Sequence, residues 1–378
     1  MSAFNALRSS KFISWKPTGG LQKTLAGCVE RRGKGLHSGE VSTVRLCPAF
    51  AGEGRSFYFR SNSIPALVDF AQASPLCTTL SKSGFRIRTV EHLLSALEAS
   101  GVDNCRIEVE NLDDEGYDVE IPIFDGSARE WVASVEEVGL KEATDRDGKT
   151  CEKIAPHVNE PVHVWRNDSF VAAFPSEVVQ ITYGISFPQA PAIGSQWFST
   201  NPLDNLVYSM QIALSRTFCI YEEEFIKDRD VVTGSCIQCS LVARLVVHYV
   251  FGQARQVAIA LVRTEVEQMR NAGLIKGGSL ENAIVCSTSK GWLNPPLHFS
   301  DEPCRHKVLD LIGDLSLSAQ FGNQGLPVAH IVAYKAWSSS LLLFPTLCSH
   351  YQFYYNCFTS SGGHALHADL ARRLMGMI

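Results

Sequence analysis

Hydrophobic and polar residues alternate with a period of two in several short runs of the first half of the chain. Residues 24–29, 41–46 and 56–60, the last with Phe57 and Phe59, read as strands, as do 104–110. Residues 119–125 form a further short strand that closes on an Asp-Gly turn at Gly126. The period lengthens to that of a helix after Thr89, an N-cap candidate, and again over 129–138. The polar, turn-rich run 143–149 marks a boundary between two domains. Beyond it, 161–165 and 178–187 restart a sheet, with Ile181, Tyr183 and Ile185 on one face. Residues 214–218 lead towards a helix, 266–272 are helical in pattern, and 283–286 and 328–334 are strands. The turn at 362–367 enters a short helix near the end.

One helical stretch combines an apolar stripe with reactive groups. In 305–314, Val308, Leu309, Leu311 and Ile312 supply a buried side. His306 and Asp310 are four residues apart and project from the same face, with Asp314 one turn further on. An imidazole and a carboxylate so spaced can grip one metal ion; the plain alternative is an amphipathic helix with a solvated His-Lys-Asp edge. Glu91 and His92 fall in the first turn of the earlier helix, where they suit a base and a zinc ligand. No second His follows three or four residues later, so a metal there must take its other ligands from distant sequence. His37, flanked by glycines, reads as a turn residue. His364, at a Gly-rich turn into a helix, is well exposed for chemistry.

Composition narrows the class. The 378 residues provide for about two domains, and 45% hydrophobic with 19% charged residues suits a soluble enzyme. A net charge of −5 argues against a general nucleic-acid or membrane-surface binder. The 12 Cys show no regular framework and suggest reduced thiols. No acidic residue precedes Glu30, while Arg8, Lys11, Lys16 and Lys23 are interspersed with serines. That composition reads as an organellar transit peptide over 1–20, with the mitochondrion expected and the plastid as second reading.

Four motifs occur in order: Gly35-Leu36-His37-Ser38-Gly39, Thr89-Val90-Glu91-His92-Leu93, His306-Lys307-x-x-Asp310-x-x-Gly313-Asp314 and Gly363-His364-Ala365-Leu366. Ser215-Arg216-Thr217-Phe218 and Gly277-Gly278-Ser279 lie between the second and third. In this order and spacing the chain resembles the zinc-dependent UDP-3-O-acyl-N-acetylglucosamine deacetylases of lipid A biosynthesis. Each motif is weak alone, and the ordered set is specific. The resemblance implies an α+β fold of two similar domains, 21–145 and 155–378, each a sheet layered with helices, facing one another across the active site. It implies Zn²⁺ held by His92, His306 and Asp310, with a fourth position left for water, whose pKa falls towards ~7. Glu91 is then the general base. Thr217 and Lys307 help the metal to stabilise the oxyanion, and His364, held as imidazolium by Asp314, protonates the departing amine. The implied substrate is an acylated UDP-sugar, the implied products are acetate and a free glucosamine amine, and a monomer is expected.

Two segments, 224–265 and 337–361, depart from the family pattern and are expected to be extra sequence, of the kind a translated intron leaves. The first includes the apolar run 241–262, which Arg244, His248 and Arg255 interrupt, so no continuous membrane span is expected. Its Cys236 and Cys239 form a lone CxxC, read as incidental. The second contains no Asp, Glu, Lys or Arg. Because a ~1 Å displacement of a catalytic group can cost ~10²-fold, deletion of 337–361 is expected to raise kcat/KM in assays at equal zinc loading. The alternative function is a catalytically impaired homologue of the same fold that binds nucleotide sugar or a protein partner.

Overall fold

Two five-stranded sheets share one plan. The first runs Val29–Lys34, Val41–Pro48, Cys105–Asn111, Arg55–Phe59, Asn62–Pro65. The second runs Val162–Arg166, Ser169–Pro175, Ala329–Ala336, Gln180–Phe187, Gly194–Ser199. In each, the central strand is the last of the five in sequence. It pairs parallel with the third strand, and every other pairing is antiparallel. The computed structural model describes residues 7–72, 76–111, 116–221, 276–294, 296–336 and 363–378. The segments 224–265 and 337–361, the 266–272 helix expectation, and Cys236 and Cys239 lie outside the described residues.

The described helices are α1 (Glu91–Ala99), α2 (Arg129–Val138), α3 (Asn205–Gln211), α4 (Glu302–Leu315) and α5 (Gly363–Leu374). α1 leads into the central strand of the first sheet, and α4 leads into that of the second. These two equivalent helices pack on each other and join the halves. Leu93, Leu94 and Leu97 of α1 and Val308, Leu309, Leu311 and Ile312 of α4 are wholly buried in one continuous core. At about 1.5–3 kcal/mol for each buried aliphatic side chain, this seam is a major source of stability. The expected α+β fold of two similar facing halves is what forms. Among the described residues, no helix is long and apolar enough to cross a membrane.

The contact between α1 and α4 requires a glycine. A Cβ on Gly313 would come 2.2 Å from the Glu91 carbonyl oxygen. Gly313→Ala must therefore push the helices apart. It is expected to lower the denaturant midpoint by the equivalent of about 1–3 kcal/mol, measured by equilibrium unfolding.

Three expectations are corrected. Thr89 is no N-cap: its φ is +60°, its hydroxyl donates to Glu120 Oε1 at 2.8 Å, and Val90 occupies the cap without a side-chain bond. A β-branched residue in the left-handed region is strained, and here the strain belongs to a turn at the site. Residues 214–218 lead into a strand, Phe218–Tyr221, because Thr217 is bridged by hydrogen bonds to Gly126 O at 2.7 Å and from Ile284 N at 2.9 Å. The helix of that region, α3, comes earlier and is capped by Asp204, which accepts from Val207 N at 2.7 Å.

Part of the leader expected over 1–20 is described. Ile13–Leu21 pairs antiparallel with Glu152–Val158, Ile13 is buried, and Ser10 Oγ donates to Leu374 O at 2.6 Å. Last, Cys28 and Cys47, expected as thiols, form a disulfide beside the Val29–Leu46 strand pair.

Candidate active site

The α1–α4 seam carries the reactive groups. Both nitrogen–oxygen separations within the expected ligand set exceed hydrogen-bond length: His92 Nε2 lies 3.7 Å, and His306 Nε2 3.5 Å, from Asp310 Oδ1. They approach the edge of a tetrahedron with bonds of ~2.0–2.2 Å, which is about 3.4 Å. The three residues are 2–4% exposed, so the edge of α4, whose plain reading is a solvated face, is interior. His306 Nδ1 donates to Ser215 O at 2.9 Å, which leaves its Nε2 lone pair towards the cluster. His92 Nδ1 is buried with no partner among the described residues.

Electrostatics keep this set in donor form. Burial, and then the neighbouring His306, lowers His92 to about 3, and burial likewise lowers His306. Burial alone would raise Asp310, but Lys307 and then His306 overcome it and hold the carboxyl below its usual range. Lys307 Nζ donates to Asp310 Oδ2 at 2.9 Å. Two neutral imidazoles and one carboxylate are a donor set that fits Zn²⁺.

A cavity of about 20 Å³, with room for about one water, opens on this cluster. Glu91, His92, Thr217, His306, Lys307, Asp310 and His364 all line it. Of the expected site residues only Asp314 stands behind the wall, at the base of His364. Burial pushes Glu91 well above the ordinary carboxyl range, and Thr78 N donates to its Oε2 at 2.9 Å. His364 moves the other way. Burial would lower it, but Asp314, 2.8 Å from its Nδ1, outweighs that and raises it to about 10. The cavity therefore pairs a reluctant carboxylate with a persistent imidazolium, an arrangement suited to general base and general acid at one site.

Three further residues belong to the site. His37 lines the cavity rather than merely turning the chain. Its loop is docked on the second half by Gly277 N, which donates to Leu36 O at 3.0 Å. A Cβ on Gly277 would lie 1.8 Å from Gly35 O, which accounts for the first glycine of the Gly-Gly-Ser motif. Thr78 bonds both Asp314 and His364, and nothing in its surrounding sequence signals this. His367 shares Asp314 with His364. Its spacing of three from His364 on one helix was the available signal. Asp314, His364 and His367 also group closely, but their 2.8 Å contacts are hydrogen bonds, which sets them apart from the longer separations around Asp310.

The sequence matches the family described as "LpxC: UDP-3-O-acyl N-acetylglycosamine deacetylase" over residues 22–248 and 252–339. The match enters 224–265, breaks at 249–251 and ends inside 337–361. The chain is 52% identical over 371 residues, 98% of its length and 93% of the other's, to "Probable UDP-3-O-acyl-N-acetylglucosamine deacetylase 1, mitochondrial" of Arabidopsis thaliana. It is 39% identical over 322 residues to a UDP-3-O-acyl-N-acetylglucosamine deacetylase of Trichormus variabilis, covering 83% of this chain and 93% of that protein. A protein of the same name from Thermosynechococcus vestitus is 37% identical over 319 residues, 83% of this chain and 89% of the relative.

Proposed function

The chain belongs to the LpxC family, the UDP-3-O-acyl N-acetylglycosamine deacetylases, and on that premise we propose that it is a zinc-dependent amidohydrolase. Its family role is deacetylation in lipid A biosynthesis, and its plant relatives are named as mitochondrial forms, which makes the mitochondrion its compartment. The substrate is UDP-3-O-(3-hydroxyacyl)-N-acetylglucosamine, and the bond cleaved is its acetamide C–N bond. One observation carries this reading: the grouping of His92, His306 and Asp310 along one small cavity with Glu91 and His364.

His92, His306 and Asp310 would hold Zn²⁺, which when bound supplies Lewis acidity to a water and to the amide carbonyl. Glu91 accepts the proton of the attacking water; its burial-raised affinity for protons suits a base working near neutrality. As the water oxygen bonds to the carbonyl carbon, the carbonyl electron pair moves onto its own oxygen. Thr217 and Lys307, both on the cavity wall, face that developing charge. His364 Nδ1 is engaged by Asp314, which leaves Nε2 to deliver a proton to the amide nitrogen. The C–N bond then breaks with a neutral amine leaving, and acetate remains. An amide nitrogen leaves poorly as an anion, so this step needs the acid.

The test is acetate release from the UDP-sugar by the full chain, zinc-loaded and chelator-treated. Activity lost to chelation and regained with zinc is expected. Binding of the UDP-sugar without acetate release at full zinc occupancy would replace this reading with that of a binding module.

A further inference from the structure

Two histidines one turn apart on α5 share a single carboxylate oxygen. His364 Nδ1 and His367 Nδ1 each lie 2.8 Å from Asp314 Oδ2, while Thr78 Oγ1 donates to Asp314 Oδ1. The rings differ in what meets the far nitrogen. His364 lines the cavity, whereas His367 is 1% exposed and its Nε2 lies 3.3 Å from the Tyr183 hydroxyl. Tyr183 is buried on the strand Gln180–Phe187, and burial keeps its phenol protonated well above the ordinary range. Its O–H therefore donates to His367 Nε2, and His367 carries its own proton on Nδ1 towards Asp314. The other tautomer would set a nitrogen lone pair against the carboxylate.

We propose that His367, backed by Tyr183, is a positioning residue for the His364 acid: it fixes the Asp314 carboxylate and takes up part of its negative charge. The proposal rests on the deacetylase reading only in giving His364 the role of acid. Asp314 alone would hold the imidazolium proton more tightly. A second N–H on the same oxygen weakens that oxygen as an acceptor, so His364 is both oriented and freed to give its proton. The groups facing His364 are Asp314, Asp310 and His306 from α4, Glu91 and His92 from α1, His367 from its own helix, and Thr78 ahead of the strand Thr79–Lys82. Those facing His367 are Asp314 and Asp310 from α4, His364 from its own helix, and Tyr183. Burial lowers His367 despite Asp314, whereas His364 is raised to about 10, in keeping with one neutral and one charged ring.

The test uses the full zinc-loaded chain with His367→Phe, which removes both nitrogens, and Tyr183→Phe, which removes only the hydroxyl. His367→Phe is expected to lower kcat about 10-fold with KM unchanged, and to raise the His364 titration midpoint, read by imidazole NMR, by about one unit. Tyr183→Phe should shift both readouts less and in the same direction, and should add nothing in the double variant. NMR needs no turnover, so a parent chain that titrates as described without releasing acetate would sink the deacetylase reading and leave this one standing. An unchanged His364 midpoint in the single variants, or effects that add fully in the double variant, would overturn the proposal. Should His367→Phe fail to fold, an unchanged midpoint in Tyr183→Phe alone overturns it.

Discussion

Asp310→Ala is expected to empty the metal site and to lower kcat/KM by on the order of 10³-fold or more, since Lewis-acid assistance is worth several kcal/mol. Asp310 is the sole anion among the three grouped donors, and the two imidazoles that remain are neutral. It also lies within 3.7 Å of His92 on α1 and His306 on α4, so its loss takes away the donor that stands next to both imidazoles. Zinc per chain, measured by elemental analysis after dialysis, should fall from about one to near zero. Asp314→Asn is the control, because Asp314 bonds His364 and His367 and none of the three grouped donors. It should retain zinc while losing rate. Stoichiometric zinc in Asp310→Ala would show that the metal, if held, is held elsewhere.

Spacing alone makes legible only what helix geometry sets, and the rest of the expected site rests on the ordered motifs. Four-residue spacing puts His306 and Asp310 on one face, and the apolar stripe of α4 fixes how that helix is buried. α2 was legible for the same reason, and its range, Arg129–Val138, is as expected. What spacing does not convey is the direction of a side chain at a turn. Thr89 has the residue type of a cap, yet its hydroxyl is drawn to Glu120, which also accepts from the His37 and Ser38 backbone N–H groups at 3.0 and 2.6 Å. A buried carboxylate that needs donors outcompetes a local cap. Thr78 was invisible because its partner Asp314 is 236 residues away. The strand Ile13–Leu21 was not legible for a related reason: its partner strand begins at Glu152, and nothing local announces the pairing.

Glu91→Gln is expected to keep zinc and fold while lowering kcat by ~10²–10⁴-fold, the usual worth of a general base. The exchange is nearly isosteric, and the amide oxygen of Gln can still accept the Thr78 N–H that reaches Glu91 Oε2 at 2.9 Å. The loss would therefore report chemistry rather than packing. The pH profile supplies a second signature. As base, Glu91 must be deprotonated, and burial has raised it above its ordinary ~4.3, so the parent's kcat/KM should fall on acidification well before that pH is reached. As acid, His364 must be protonated, and its value of about 10 places the opposing loss on the alkaline side. In Glu91→Gln the acid limb assigned to the carboxyl should vanish from the residual rate, while the alkaline limb stays. If the variant kept both the parent's rate and its acid limb, Glu91 would be a buried structural carboxyl, and the proton would have to leave the attacking water by another route.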